Sequence, residues 1–221
     1  MKKIDHTRHM GIFDASTWPV TLIGAGGIGA LTAITLGKMG VPALILFDGD
    51  RVSPENTATQ FYSPFDVERY KLAALHEHMA VFAPDTVLQI NNFRVDGSTP
   101  WSLMASPIVI SALDSIEARK GVWEAIKDKP WMWYLEARMG AEVFQLHAVN
   151  GDDRDWYDQM LASQDDSLIP DEPCTAKATI YTACIAAGQI GKTMRQIVTG
   201  ENPPRLLIHD IVKGVITQIG G

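Results

Sequence analysis

A glycine-rich turn follows the first apolar segment of the chain. The run Val20–Ile23 leads into Gly24, and three more glycines follow as a helical pattern begins: Gly26, Gly27 and Gly29. Glycine lets the backbone turn tightly and approach a phosphate closely, while the free amides and positive dipole end of a helix start favour negative charge. These residue types in this order predict a phosphate-binding turn.

An acidic residue follows the next apolar segment. Asp48 comes directly after Ala43–Phe47, close to the roughly twenty residues beyond the glycines at which an acid meets a ribose hydroxyl in nucleotide-binding βαβ units. A glycine motif alone is a weak signal, because glycines also serve ordinary turns. Its position after a strand and its pairing with Asp48 favour nucleotide binding.

Strand and helix patterns alternate around these residues. Helical spacing predicts helices at about 27–39, 67–82, 115–126 and 178–198. Apolar runs predict strands at 20–23, 43–47, 87–90, 108–111, 131–135 and 143–149, and two more within 205–219. This order predicts an α/β fold with a Rossmann-like, doubly wound, mostly parallel sheet, to which the partly alternating pattern of 143–149 adds an antiparallel C-terminal extension.

Size and charge limit the range of functions. The 221 residues suit one domain, 1–221, with an N-terminal arm at 1–17 and a mobile, acidic crossover loop at 150–174. The balance of 26 acidic against 19 basic residues, without a basic run, makes a nucleic acid or a membrane surface an unexpected partner. Residues 1–17 are too polar for a signal peptide, and no apolar stretch suits a membrane span, so we expect a cytoplasmic protein. With two cysteines, no structural zinc is expected.

Taken in order, the motifs resemble the adenylating domain shared by ThiF, MoeB, HesA and the ubiquitin-activating enzymes, over almost the whole chain. Matching residues are the glycine loop, the acidic pair Asp48 and Asp50, Asn56, Lys71 at a helix start, and Asp114 with Arg119 in a D-x-x-x-x-R pattern. The N-terminal His6-Thr7-Arg8-His9 resembles the family's arm, in which an arginine reaches the ATP of the neighbouring subunit. The glycine loop and the acidic pair together are fairly specific, whereas either alone is not.

The resemblance implies an enzyme that uses ATP and Mg²⁺ to adenylate the C-terminal glycine carboxylate of a small ubiquitin-like (β-grasp) protein or peptide. Asp48 would bind the ribose hydroxyls, with Asp50 in support, and Lys71 would lie over the phosphates. Asp114 would hold the magnesium ion, because carboxylate oxygens suit a hard cation. Arg8 would supply positive charge from a second subunit, which implies a homodimer.

Each of these residues also has a simpler interpretation. Asp48 and Asp50 could be turn aspartates, and Lys71 could be a solvated lysine in the first turn of its helix. Asp114 could cap the helix that begins beside it. Arg8 could be an ordinary surface arginine.

Two positions depart from the family pattern. Thr59 precedes Gln60 where the family usually has an arginine, so one phosphate-binding cation is missing, and Arg51 or Arg69 could replace it. Trp123 stands where the family commonly has an asparagine. These departures fit a divergent branch, or a partner subunit that has lost activity.

The two cysteines have different surroundings. Cys174 resembles the cysteine that takes the activated acyl group in some family members; Lys177 could favour its thiolate, whereas Asp171 and Glu172 would oppose it. An incidental or structural cysteine is the alternative. Cys184 lies among apolar residues of the last predicted helix, so we expect it to be buried.

Three other functions compete with adenylation of a protein carboxylate. A catalytically silent partner subunit with an ATP-binding fold would account for Thr59. An NAD-dependent oxidoreductase would share the glycine turn and Asp48, but would leave Asp50, Lys71 and Asp114 unexplained. Adenylation of a tRNA-linked carboxylate is disfavoured by the acidic charge of the chain.

Overall fold

A mixed sheet of eight strands organises the computed structural model, which describes residues 3–164 and 178–220. The strands are β1 (Val20–Ile23), β2 (Ala43–Phe47), β3 (Val87–Asn91), β4 (Ile108–Ser111), β5 (Trp133–Gly140), β6 (Val143–Val149), β7 (Leu206–Asp210) and β8 (Val215–Ile219). Their order across the sheet is β3-β2-β1-β4-β5-β6-β7-β8. Strands β1 to β5 pair in parallel, and β6, β7 and β8 continue the sheet antiparallel.

Helices cover both faces of this sheet. They are α1 (Gly27–Lys38), α2 (Asn56–Thr59), α3 (Lys71–Phe82), α4 (Ile116–Ile126), α5 (Arg154–Ala162) and α6 (Ile180–Val198). Buried side chains of α1, α3 and α6 form one apolar core with the sheet, and those of α4 and α5 form a second core. The predicted fold class is therefore confirmed. Within the described ranges, no helix is long and apolar enough to cross a membrane.

The two cores follow from the alternation of side chains along each strand. In β1, Leu22 enters the core with α1 while Ile23 enters the core with α4. In β4, Ile110 enters the core with α1, and Val109 enters the core with α4. Because both faces are covered, the central strands β1, β2 and β4 are mostly apolar on both faces, which explains why the sequence shows them as nearly continuous apolar runs.

The boundaries of three elements differ from the prediction by two residues or more. Helix α3 begins at Lys71 rather than at 67, because Glu68 has a φ of 68°, which lies outside the right-handed helical region. Strand β5 begins at Trp133 and continues to Gly140, since antiparallel pairing with β6 extends it beyond the parallel part of the sheet. Helix α6 begins at Ile180, where the Thr179 side chain caps it.

The prediction of a loop throughout 150–174 is wrong for Arg154–Ala162, which forms α5. Only Tyr157 and Leu161 of this helix are buried, at a spacing of four residues on one face. The neighbouring acidic residues hide this short apolar stripe in the sequence. Residues 165–174 lie outside the described part of the chain.

The prediction that Cys184 is buried is also wrong, since its side chain is exposed on α6. The buried face of α6 carries Ala183 and Ala187, whereas Cys184 shares the opposite face with Tyr181 and Gly188. Positions three and four residues apart lie on the same side of a helix. The apolar neighbours in the sequence therefore say little about the face that Cys184 occupies.

Candidate functional site

Glycines bring β1, β4 and α1 into close contact at the phosphate-binding turn. Gly24 has a φ of 96°, and its amide donates to the carbonyl of Phe47 at 2.8 Å. A Cβ at Gly24 would overlap the carbonyl oxygen of Ala112, and one at Gly29 would overlap the carbonyl oxygen of Gly24. Only glycine fits at these two positions, so the turn is fixed by the packing of backbone on backbone.

The amino end of α1 lacks internal partners for its first amides. Gly26 is the N-cap residue and offers no side chain to accept a hydrogen bond, and the first turn contains no acidic residue. Unpaired amides and the helix dipole create a site for an anion. The start of α1 therefore suits an anion, and phosphate binding at Gly26, Gly27 and Gly29 stays a prediction.

Asp48 connects the glycine turn to the end of β2. Its Oδ2 accepts from the amide of Ala25 at 2.7 Å, and its Oδ1 accepts from the amide of Asp50 at 2.7 Å. Burial raises the pKa of Asp48, and the charge of Lys71 opposes that effect. The carboxylate is therefore fixed beside the start of α1, and its binding of ribose hydroxyls stays a prediction.

Asp50 joins two cations. Lys71 Nζ lies 3.1 Å from its Oδ2, and Arg94 Nη2 donates to its Oδ1 at 2.8 Å. Burial would raise the pKa of Asp50, but the hydrogen bond from Arg94 and the charge of Lys71 hold it below its usual value. Lys71 is only 8% exposed, which excludes the alternative of a solvated lysine.

A pocket of about 190 Å³ opens at the carboxyl ends of β1, β2 and β4. This is where the connections from β1 and β4 leave in opposite directions across the sheet, the usual ligand crevice of doubly wound folds. Its lining combines three carboxylates and one guanidinium with an apolar wall. The charged residues are Asp48, Asp50, Asp114 and Arg94, and the wall consists of Ile23, Phe47, Val95, Leu113 and Ala118. An apolar wall suits a base, and the polar edge suits a sugar and phosphates.

Asp114 lies exposed on the lining of this pocket and does not cap α4. Ser115 is the N-cap, and its side chain accepts from the amide of Ala118 at 3.2 Å. The capping alternative for Asp114 is therefore wrong. In the described ranges, no three His, Cys, Asp or Glu side chains cluster as a metal site. One carboxylate suits magnesium, which typically takes its other ligands from water and substrate phosphates.

A buried ion cluster supports the loop that carries Asp114. Arg119 donates to the carbonyl of Leu113 at 2.6 Å, and its Nε lies 3.0 Å from Oε1 of Glu136. Arg138 also contacts Glu136, with Nε at 2.7 Å from Oε2, and His147 Nδ1 lies 3.0 Å from the same oxygen. Burial would raise the pKa of Glu136, but contact with His147 and the charges of Arg138 and Arg119 lower it to about 2.

Neither replacement suggested for the missing family arginine lines the pocket. Arg51 lies over the ring of Tyr70, with its guanidinium carbon 4.1 Å from the ring centre. Arg69 pairs with Glu77. Asn56 also acts locally, since its Oδ1 accepts from the amide of Ser53 at 3.0 Å and shapes the loop that follows β2.

The N-terminal arm lies at the opposite edge of the sheet from the pocket. The amide of Ile4 donates to Asp85 at 2.7 Å, and the His6 ring packs on Gly40, so the arm contacts segments that precede β3 and β2. Arg8 is exposed on this arm. It is therefore remote from the pocket of its own chain. Cys174 lies outside the described residues.

Sequence reasoning missed Arg94 and Glu136. Arg94 follows β3 without any motif, and only the parallel pairing of β3 with β2 brings it beside Asp50. Glu136 had a signal, because a lone acidic residue within an apolar strand must find partners when it is buried. Its partners come from α4, β5 and β6, which only the folded structure brings together.

Comparison with known proteins decides the family. The sequence matches the ThiF family over residues 6–219. The chain belongs to this family. As a ThiF-family chain it is 27% identical over 128 residues to ubiquitin-like modifier-activating enzyme 5 of Drosophila grimshawi, and 25% identical over 130 residues to that of Rattus norvegicus. These matches cover 52% and 53% of the chain but 32% of each relative, so the chain spans about a third of their length.

Solved structures share the fold of this ThiF-family chain. Crystalline PaaA matches with a TM-score of 0.72 at 19% identity, covering 93% of this chain and 73% of PaaA. E. coli MccB, solved with AMPCPP and MccA, matches with a TM-score of 0.71 at 14% identity, covering 93% of this chain and 64% of MccB. At these identities, the likeness establishes the fold alone.

Proposed function

We propose that this chain binds ATP with magnesium and adenylates the C-terminal glycine carboxylate of a small ubiquitin-like protein or peptide. The observation that supports the proposal is that the uncapped start of α1 lies at the same edge of the sheet as Asp48, Lys71 and Asp114. A dinucleotide-binding oxidoreductase would use the glycine turn and Asp48, but it would have no use for a buried lysine beside them.

The reaction requires attack of a carboxylate oxygen on the α-phosphorus of ATP. A carboxylate-to-phosphorus bond forms, and the bond from the α-phosphorus to the bridging oxygen breaks, which releases pyrophosphate. Amides at the start of α1 and the ammonium of Lys71 would stabilise the charge on the phosphates, and Asp48 would fix the ribose. Magnesium held by Asp114 would neutralise charge on the leaving pyrophosphate.

The proposed substrate class is supported by relatives rather than by a surface of this chain. The matched enzymes are named for activating a ubiquitin-like modifier, and MccB is solved together with MccA. A carboxylate at a flexible glycine end can enter a pocket without a bulky side chain. We also propose that Cys174 takes the acyl group afterwards, so that Cys174→Ser would lose a thiol-sensitive product and keep the adenylation step.

The same proposal gives Arg8 a role in the pocket of a second subunit. Because the arm lies at the far edge of the sheet from its own pocket, Arg8 can act only on the pocket of another chain. A homodimer with two composite sites satisfies this condition. The arm would then carry one cation to the phosphates of the partner.

A carboxylate-dependent exchange of pyrophosphate into ATP tests the proposal. Purified chain should catalyse the exchange with a candidate ubiquitin-like protein ending in glycine, and should not do so with the same protein lacking its last residue. Asp114→Asn should lower the exchange rate about 100-fold, since one electrostatic contact in a reacting site is commonly worth that much. Asp128→Asn, an exposed acid outside the pocket, is the matched control and should retain the rate.

A silent partner subunit is the second candidate, favoured by Thr59 in place of the family arginine. Magnesium-dependent binding of ATP to the purified chain separates the two. Binding without exchange, with every carboxylate partner tested, would favour the silent subunit. Binding of NADH in preference to ATP would contradict both the adenylating enzyme and the silent subunit. It would favour the NAD-dependent oxidoreductase instead.

A further inference from the structure

Among the described residues that line the pocket, Arg94 is the one basic side chain. Its guanidinium donates to Asp50 at 2.8 Å, and its side chain is 83% exposed. The pocket also contains Asp48 and Asp114, so Arg94 lies at the same opening as the proposed ribose and magnesium ligands. The other polar groups lining it are mostly carboxylates, which leaves the pocket with little positive charge of its own.

The other cations near the pocket do not line it. Arg51 lies against Tyr70, and Arg69 pairs with Glu77 and Asp66. Lys71 is buried against Asp50. Among the residues that the structure describes, Arg94 alone of the lysines and arginines combines a position on the pocket with an exposed side chain.

The backbone beside Arg94 leaves its path to the pocket open. A Cβ at Gly49 would lie 3.3 Å from the Cγ of Arg94, tighter than ordinary contact. Glycine at position 49 therefore lets the arginine pack across the turn that separates Asp48 from Asp50. Because the ion pair of Arg94 with Asp50 is largely exposed, it is weak and readily exchanged for a stronger partner.

We propose that Arg94 leaves Asp50 and binds the β- and γ-phosphates of ATP, supplying the cation that Thr59 does not. The inference rests on the proposed function, since it needs ATP in this pocket. A guanidinium offers paired donors that match phosphate oxygens, so it suits this role better than a lysine would. Magnesium held by Asp114 would place those phosphates at the opening where Arg94 lies.

Equilibrium titrations of the full chain with Mg-ATP and with AMP test the inference. Arg94→Ala should weaken binding of ATP about tenfold or more, as expected for loss of a charged hydrogen bond, and change binding of AMP by less than about twofold. Arg51→Ala removes the same charge from a neighbouring side chain outside the pocket and should leave both affinities unchanged. Thermal unfolding of each variant checks that the fold is retained.

A second variant separates direct contact from an effect transmitted through Asp50. In the Asp50→Asn background, Arg94→Ala should still weaken ATP binding about as much as in the unaltered chain. If Arg94 acted only by restraining Asp50 and Lys71, the second substitution would have no further effect.

Three results would overturn the inference. Unchanged ATP affinity in Arg94→Ala would contradict the inference about Arg94 and leave the proposed function intact. Equal weakening of ATP and AMP would place Arg94 on the base, ribose or α-phosphate instead of the β- and γ-phosphates. Failure of the unaltered chain to bind Mg-ATP would contradict the proposed function, and the inference with it.

Discussion

Glu136 is the residue whose chemistry depends most on its surroundings. It is 1% exposed and touches two arginines and a histidine. A carboxylate at this depth is stable only while its partners remain, because removal of one partner leaves an uncompensated buried charge. Arg119 extends the cluster to the carbonyl of Leu113, so Glu136 also holds the backbone next to Asp114.

Stability at acidic pH tests the charge of Glu136. Its folded pKa of about 2 lies below the reference value of 4.5, so its stabilising contribution is complete above pH 4.5 and is lost as the pH falls toward 2. This loss should amount to about 3 kcal/mol of unfolding free energy. Chemical denaturation across this pH range should show it in the unaltered chain and not in Glu136→Gln.

A matched substitution on the surface gives the control for that measurement. Glu124 pairs with Lys127 at an exposed position, so Glu124→Gln should cost less than about 1 kcal/mol at pH 7. Glu136→Gln should cost about 3–5 kcal/mol, because it leaves buried guanidinium groups without their counter-charge. Glu124→Gln keeps Glu136 and should lose unfolding free energy between pH 4.5 and 2 as the unaltered chain does. An equal loss in Glu136→Gln would contradict the assignment of that charge to Glu136.

Single residues were predictable where a motif fixed their surroundings. The sequence predicts Asp48 beside the glycine turn, and the structure brings it into contact with Ala25. The sequence cannot distinguish a buried Lys71 from a solvated one, because the difference lies in the approach of Asp50 from another segment. Arg94 needed the pairing of β3 with β2, which no local pattern encodes.

At the scale of elements, the close contact of α1 with the glycine turn is the tightest constraint. Gly29→Ala should destabilise the chain by about 1–3 kcal/mol or more, because its methyl group would collide with the carbonyl of Gly24. Gly188→Ala in α6 meets open space and should stabilise the chain by about 0.5–1 kcal/mol. Both values come from chemical denaturation. Equal effects of the two substitutions would contradict the packing of the turn.

Elements were predictable in proportion to the length of their apolar pattern. Strands β1, β2 and β4 have the predicted bounds, because a strand covered on both faces reads as a nearly continuous apolar run. Strand β6 also has the predicted bounds, from a partly alternating pattern. Helix α5 was missed, because two buried residues among acidic ones give no sustained stripe. The burial of Cys184 was mispredicted because its apolar neighbours lie on another face of α6.

At the scale of the whole molecule, the proposed role of Arg8 requires a site built from two chains. That the chain is a single domain and a homodimer stays a prediction. Arg8→Ala and Lys71→Gln should each lose pyrophosphate exchange when tested alone. In randomly mixed dimers, roughly a quarter of the sites would combine an intact pocket with an intact arm, so mixing the two variants should restore about that share of activity.

That mixing experiment has an internal control. Arg8→Ala mixed with a second preparation of itself, at the same total concentration, should stay inactive. No recovery from the two different variants, in a preparation shown to be dimeric by light scattering, would contradict the action of Arg8 on a partner's pocket.

A crystal structure of the chain with magnesium and a nonhydrolysable ATP analogue tests the central claim most directly. The account predicts phosphates on the amides at the start of α1, the ribose hydroxyls on Asp48 and the metal ion on Asp114. A dinucleotide bound there in preference, or a triphosphate lodged away from Gly24–Gly29, would contradict it.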